Sequence, residues 1–227
     1  MVQNDINYVM KLQQVGLIQS PCLECGIGTE AGYDGSNFKF YLKPFGVKVI
    51  GADISAGPQV DVVVDFHDKK EEIQKAFSNY EPFKTIIISN VLEHVFDPIA
   101  ILDNLLHLLA EEGVIIVIAP CTWPLHQYPI DTWRINPNFY EEYAKRRGLK
   151  LDLEHFEYTG IAPVTKTIDA EGNYRYPSPW KTNFQKWRGK IGHRLFKSYA
   201  KNMIFESWLS IGAVLQKPKN WRASETR

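Results

Sequence analysis

Three cysteines among 227 residues are too few, and odd in number, for a disulfide framework. With no secretory pattern at the amino end, the expectation is a reducing, cytoplasmic setting. Net charge is also missing. The 26 basic residues balance 26 acidic ones, which argues against a dedicated nucleic-acid binder. No apolar run approaches the roughly 18–20 residues that a membrane-spanning helix requires. Internal repeats and low-complexity tracts are absent too, leaving an ordinary globular chain of one large α/β domain. The charge balance is uneven, however. Residues 181–227 hold eleven Lys or Arg against two Glu, a basic end suited to an anionic partner.

What is present is a series of short apolar runs separated by helical patterns. Strands are expected at Pro21–Glu24, Lys48–Ala52, Val60–Val64, Thr85–Ser89, Val114–Ala119, Leu149–Glu157 and Leu209–Gln216. The isoleucine run of the fourth lacks alternation, which implies burial on both faces, as in the middle of a parallel sheet. Helices are expected at Asn4–Gln14, capped by Asn4 or Asp5, and at Phe38–Leu42, Lys69–Ser78 and Asn138–Arg147. The strongest begins at Pro98 and carries Leu102, Leu105, Leu106 and Leu109 before Glu111-Glu112-Gly113 stops it. This alternation predicts a Rossmann-like three-layer α/β sandwich: a mostly parallel seven-stranded sheet with an antiparallel last strand. The core is expected over 1–157 and 207–217, with an insertion or lid at 158–206 and a polar tail at 218–227.

After the first strand comes Gly26-Ile27-Gly28-Thr29-Glu30-Ala31. It satisfies G-x-G-x-x-A, in which glycines let backbone approach a ligand closely. Asp53 closes the second strand, where an acid accepts both ribose hydroxyls. Nicotinamide, flavin and S-adenosylmethionine are served equally by these features. Glu24 lies inside the first strand, where a carboxylate orients the loop or attracts a ligand ammonium. Asp65 closes the third strand, placed for an adenine amino group. Phe66 beside it is placed to flank the purine or present its amide. Cys22-x-x-Cys25 has a redox spacing, but its place within a buried strand points to packing.

Leu23-Glu24-Cys25-Gly26-Ile27-Gly28, Gly51-Ala52-Asp53-Ile54-Ser55, Asp65-Phe66-His67-Asp68 and Ser89-Asn90-Val91-Leu92-Glu93-His94-Val95-Phe96-Asp97-Pro98 occur in that order. Together they resemble class I S-adenosylmethionine-dependent methyltransferases, in the small-molecule, type-11-like branch. The resemblance covers roughly 20–157 and the last strand. It implies S-adenosylmethionine as cofactor, held by Glu24, Gly26, Gly28, Asp53, Ile54, Asp65, Phe66 and Asn90. Glu30 stands where many members carry a third glycine.

The segment Pro120–Pro137 should border the same sheet edge. Its Tyr128-Pro-x-Asp131-x-Trp133-Arg134-x-x-Pro137 pattern is similar to a subgroup associated with polysaccharide and nucleotide-sugar biosynthesis. That similarity implies O-methylation of a sugar hydroxyl, on a sugar, nucleotide sugar or lipid-linked glycan precursor, or of a related small polar acceptor, with Trp123, Tyr128, Trp133 and Arg134 as acceptor contacts. A sugar hydroxyl needs a positioned general base. His126 leads and Asp131 follows, although Asp131 can instead orient an imidazole or pair with Arg134. His94 is a rival. A divalent cation would lower the acceptor pKa, but no compact His/Asp/Glu cluster is legible, so no metal is expected. Residues 180–201 read as a basic amphipathic helix: a lid, a phosphate-recognising face or a peripheral membrane contact. The alternatives to sugar O-methylation are another small metabolite, such as a quinone or amine, or a cofactor-binding but inactive partner.

Overall fold

The computed structural model describes residues 3–28, 37–123, 125–126, 130–160, 165–166 and 209–222. Glu30, Tyr128 and the basic helix expected over 180–201 lie outside them. The described strands are β1 (Cys22–Cys25), β2 (Val49–Asp53), β3 (Val62–Val63), β4 (Phe83–Ser89) and β5 (Leu109–Thr122). They continue with β6 (Lys150–Leu151), β7 (Glu157–Gly160), β8 (Thr165–Lys166) and β9 (Leu209–Gln216). All nine join one sheet in the order β3-β2-β1-β4-β5-β9-β7-β8, with β6 paired to β9. The first five run parallel, and β9 enters antiparallel between β5 and β7. The expected mostly parallel Rossmann-like sheet with a reversed last strand is therefore the observed one.

Side-chain alternation along these strands makes the three layers. Leu23, Ile86, Ile88, Ile115 and Val117 face one core, shared with helices α3 (Lys70–Ala76), α4 (Pro98–Leu108) and α5 (Pro137–Arg147). Cys22, Ile87, Val114, Ile116 and Ile118 face the other, covered by α1 (Gln3–Gln14) and α2 (Phe38–Leu42). Burial on both faces is why the isoleucine run shows no period-two pattern. Cys22 and Cys25 fall in opposite cores. All three cysteines are free and buried, and burial pushes each thiol up, so the spacing serves packing and not redox chemistry.

Four local expectations change. The single strand expected at Leu149–Glu157 divides into β6 and β7. Asp152 turns the chain between them, accepting the Glu154 amide at 2.9 Å and contacting His155 Nδ1 at 2.8 Å. Strand β7 also runs past residue 157 to Gly160, and β8 pairs with it, so the sheet reaches beyond the expected core boundary. Helix α4 stops at Leu108, before Glu111-Glu112-Gly113, because Leu109 is already extended. Buried Lys217 donates to the carbonyls of Leu106 and Leu109, at 2.9 and 2.6 Å, satisfying acceptors that a helix end leaves open. Finally, Asp5 is no helix cap. It is fully buried and accepts the Thr159 hydroxyl at 2.7 Å and the Asn90 side-chain amide at 3.1 Å. Among the described residues no helix is long and apolar enough to cross a membrane.

Candidate active site

The carboxyl ends of β1, β2, β4 and β5 open into one cavity of about 590 Å³. Two glycines form its first wall. Gly26 and Gly28 both have positive φ, +69° and +84°, which an L side chain adopts only with strain. Gly26 is also sterically closed, since a Cβ there would lie 2.2 Å from Val91 Cγ2. Its amide donates to Ala52 O at 2.9 Å, tying the turn to the end of β2.

The acids expected at the strand ends line this cavity. Asp53 accepts the Gly28 amide at 3.0 Å and the Ser55 amide at 3.1 Å, so the acid at the end of β2 also shapes the glycine turn. Asp65 accepts the His67 amide at 2.8 Å. Of the two roles expected for Phe66, its ring is committed to the core, where it stacks on Phe77. Ile54 is exposed beside Asp53. Asn90 takes a left-handed conformation, φ 53°, where Asn is among the tolerated residues. Asp5 anchors its amide from below. Asp5 lines the cavity as well, a contribution no local sequence signal announces.

Glu24 holds α2 in place. Its two oxygens accept the amides of Phe38 at 2.9 Å and Lys39 at 2.8 Å, the open donors of that helix's first turn. Burial pushes its carboxyl from the ordinary 4.5 up to about 7, against the lowering effect of those donations. Folded Glu24 therefore binds its proton more tightly than the unfolded chain does. Stability should fall as pH rises from 4.5 to 7, by on the order of 3 kcal/mol, and then stay flat. Urea unfolding at pH 5, 6 and 7 should show a smaller loss for Glu24→Gln than for the parent chain. Equal slopes would refute this assignment.

The cavity's far wall is built where the segments after β4 and β5 run side by side. The Thr132 amide and hydroxyl donate to Glu93 O at 2.8 and 3.1 Å, and the hydroxyl also reaches Val95 O at 2.8 Å. Trp133 Nε1 donates to Phe96 O at 3.2 Å, and His94 Nδ1 to Ile130 O at 2.7 Å. This zipper brings His126 to His94, with ring centroids 5.0 Å apart in an edge-to-face arrangement. Asp131, its side chain fully covered, accepts the His126 amide at 2.8 Å and stands 3.2 Å from His126 Nδ1. Arg134 grips both oxygens of Asp131, the Nη2–Oδ2 bond at 2.6 Å, and its Nε donates to Trp123 O at 3.1 Å. The paired guanidinium holds the Asp131 carboxyl down at about 2. Asp131 is thus a constant anion, which suits orienting an imidazole and not accepting a proton near neutral pH.

Glu93 escaped the sequence reading. It is 1% exposed, burial raises its carboxyl to about 8, and its Oε2 has no hydrogen-bond partner among the described residues. One ligand atom from each of Glu93, His94 and His126 lies within 4.8 Å of the others. This is the compact cluster that the spacing alone did not reveal. The only local signal was the adjacency of Glu93 and His94 in the fourth motif. Trp123 and His126 line the cavity. Trp133 is half-exposed, and Arg134 is committed to Asp131.

The residues present fit an adenosyl cofactor. The left-handed glycines admit close backbone approach, Asp53 and Asp65 stand as acceptors at successive strand ends, and Val64 and Ile101 supply apolar surface between. A family described as a methyltransferase domain matches residues 23–166. No protein of curated function matches the sequence. In structure the chain is similar to an S-adenosylmethionine-dependent methyltransferase from Archaeoglobus fulgidus, 13% identical over 95% of each chain, with TM-score 0.57. It is also similar to a putative methyltransferase from Bacillus halodurans, 14% identical over 93% of this chain and 99% of that one, with TM-score 0.52. A third is the CurJ carbon methyltransferase, 14% identical over 95% of this chain and 54% of that one, with TM-score 0.52. At these identities the structural likenesses speak for the fold. The family match spans more than half of the sequence, and the chain belongs to the methyltransferase-domain family, with S-adenosylmethionine as its cofactor.

Proposed function

We propose that the chain methylates a hydroxyl of a sugar or nucleotide sugar, with His126 as general base. The observation that carries this is the His126–Asp131–Arg134 relay at the cavity wall. Ionised Asp131 orients the imidazole through Nδ1, which directs Nε2 as the proton acceptor. Gly26, Gly28, Asp53 and Asp65 hold the donor, and Glu24 keeps α2 and the turn in register. The bound cofactor supplies a methyl whose bond to sulfur breaks as its bond to the acceptor oxygen forms. His126 takes the hydroxyl proton, and Trp123 and Trp133 offer ring faces for the acceptor.

A second reading is favoured by one feature. Phe96, Ile99, Leu125, Ile130 and Trp133 are exposed, and most belong to the zippered segments. That surface suits a less polar acceptor such as a reduced quinone. The test is labelled S-adenosylmethionine with a panel of nucleotide sugars, free sugars, amines and quinols, read by mass spectrometry. A methylated sugar product is expected, with His126→Ala lowering turnover by about 100-fold or more. Methylation of quinols alone would replace the first reading with the second. Full activity in His126→Ala would remove the base assignment.

A further inference from the structure

We propose that Glu93, His94 and His126 bind one divalent cation of the zinc class at the wall of the donor cavity. Two imidazoles and a carboxylate are a donor set for zinc, iron, cobalt or nickel, and a poor one for magnesium or calcium, which favour oxygen. The geometry is close to assembled. His94 Nε2 lies 3.7 Å from Glu93 Oε1, near the roughly 3.4 Å that separates neighbouring ligands of a tetrahedral ion. The third atom, from half-exposed His126, lies within 4.8 Å of the other two.

Three further observations point to a cation. Ile130 O can only accept, so His94 Nδ1 carries a hydrogen, and in the neutral ring Nε2 turns its lone pair toward Glu93. Once Glu93 gives up its proton, two acceptors face one another across 3.7 Å, an arrangement that a cation between them satisfies. His126 repeats the arrangement, with Nδ1 turned to Asp131. A carbonyl or carboxylate behind each ring is the support that metal-binding histidines commonly have. Glu93 is buried with Oε2 unpartnered among the described residues, a state that is costly for a carboxylate lacking compensation.

Three protein ligands leave a position open to water or to an acceptor oxygen. With the ion in place, His126 is a ligand, and the hydroxyl loses its proton more readily because its oxygen is coordinated. This consequence rests on the hydroxyl-acceptor reading; the binding of the ion does not.

The full chain, stripped with a chelator, is titrated with Co²⁺ alone and then with Zn²⁺. One equivalent should give visible d–d bands, which Zn²⁺ should bleach. His126→Ala and Glu93→Gln should each weaken binding at least tenfold, with circular dichroism unchanged in His126→Ala, whose site lies on a half-exposed loop. Absence of the bands, or binding unaltered by both substitutions, would overturn the site. Turnover by the stripped chain that zinc does not raise would overturn its catalytic part and leave His126 as base. Stoichiometric cobalt binding alongside inactivity toward every acceptor would support the site while sinking the methyl-transfer chemistry proposed above.

Discussion

A Gly26→Ala chain should fold and yet bind S-adenosylmethionine about 100-fold more weakly. Alanine at φ +69° incurs roughly 1–2 kcal/mol of left-handed strain. The larger effect is steric. The new methyl would sit 2.2 Å from Val91 Cγ2, with Val91 Cβ at 3.5 Å and Cγ1 at 3.7 Å behind it. Valine is stiff about χ1, so the contact is relieved by moving the turn, which is the proposed cradle of the cofactor. About 3 kcal/mol lost from the bound state corresponds to that 100-fold. Gly28 provides the control. Its φ is +84°, but among the described residues nothing lies within 4 Å of its added Cβ, so Gly28→Ala should show strain alone, about tenfold. Calorimetry with the cofactor, beside circular dichroism, decides. A Gly26→Ala affinity within threefold of the parent would show that the turn does not grip the donor.

Arg134→Met should leave cofactor affinity within threefold and cut turnover by at least 100-fold. The substitution strands the Asp131 carboxylate, whose side chain is fully covered. Leaving a covered, charged acceptor without its partner costs up to about 3 kcal/mol, the Arg134 side chain itself being 26% exposed. That loss falls on a local segment, because the same guanidinium also ties down the carbonyls of Trp123 and Trp133. A loop destabilised by 3 kcal/mol is ordered more than about 100-fold less often. Lysine should not rescue, since one ammonium cannot reproduce the planar fork. Single-turnover kinetics separate the outcomes. Parallel loss of cofactor affinity would assign the segment to the donor side of the cavity and remove it from acceptor chemistry.

The proposed donor half of the site was legible in its placement because its elements are local. Glycines in a turn, and acids at the ends of apolar runs, occupy places that strand geometry alone assigns. The acceptor half was harder to read. His126 meets His94 and Glu93 only because Thr132 and Trp133 are laced to Glu93, Val95 and Phe96, a register between irregular segments that no periodicity encodes. The pairing of Asp131 with Arg134 stood in the sequence as one of two alternatives. The structure shows both at once, with Asp131 contacting imidazole and guanidinium. Asp5 looked like a helix cap because its neighbours are helical and its partners, Asn90 and Thr159, are distant in sequence. Strand β5 outran its apolar core because its pairing with β4 shifts register between Phe83 and Thr85, across Ala110–Gly113.

Strand β7 ends at Gly160 and β9 begins at Leu209, and these two residues are paired partners in the sheet. The chain thus leaves β7 and enters β9 at neighbouring points about 5 Å apart, beside Pro120 at the cavity's edge. Closing so long an excursion adds an entropic cost that grows only with the logarithm of its length. The sheet is thus a socket. Length can therefore be added or removed between residues 160 and 209 at little cost to the framework on either side.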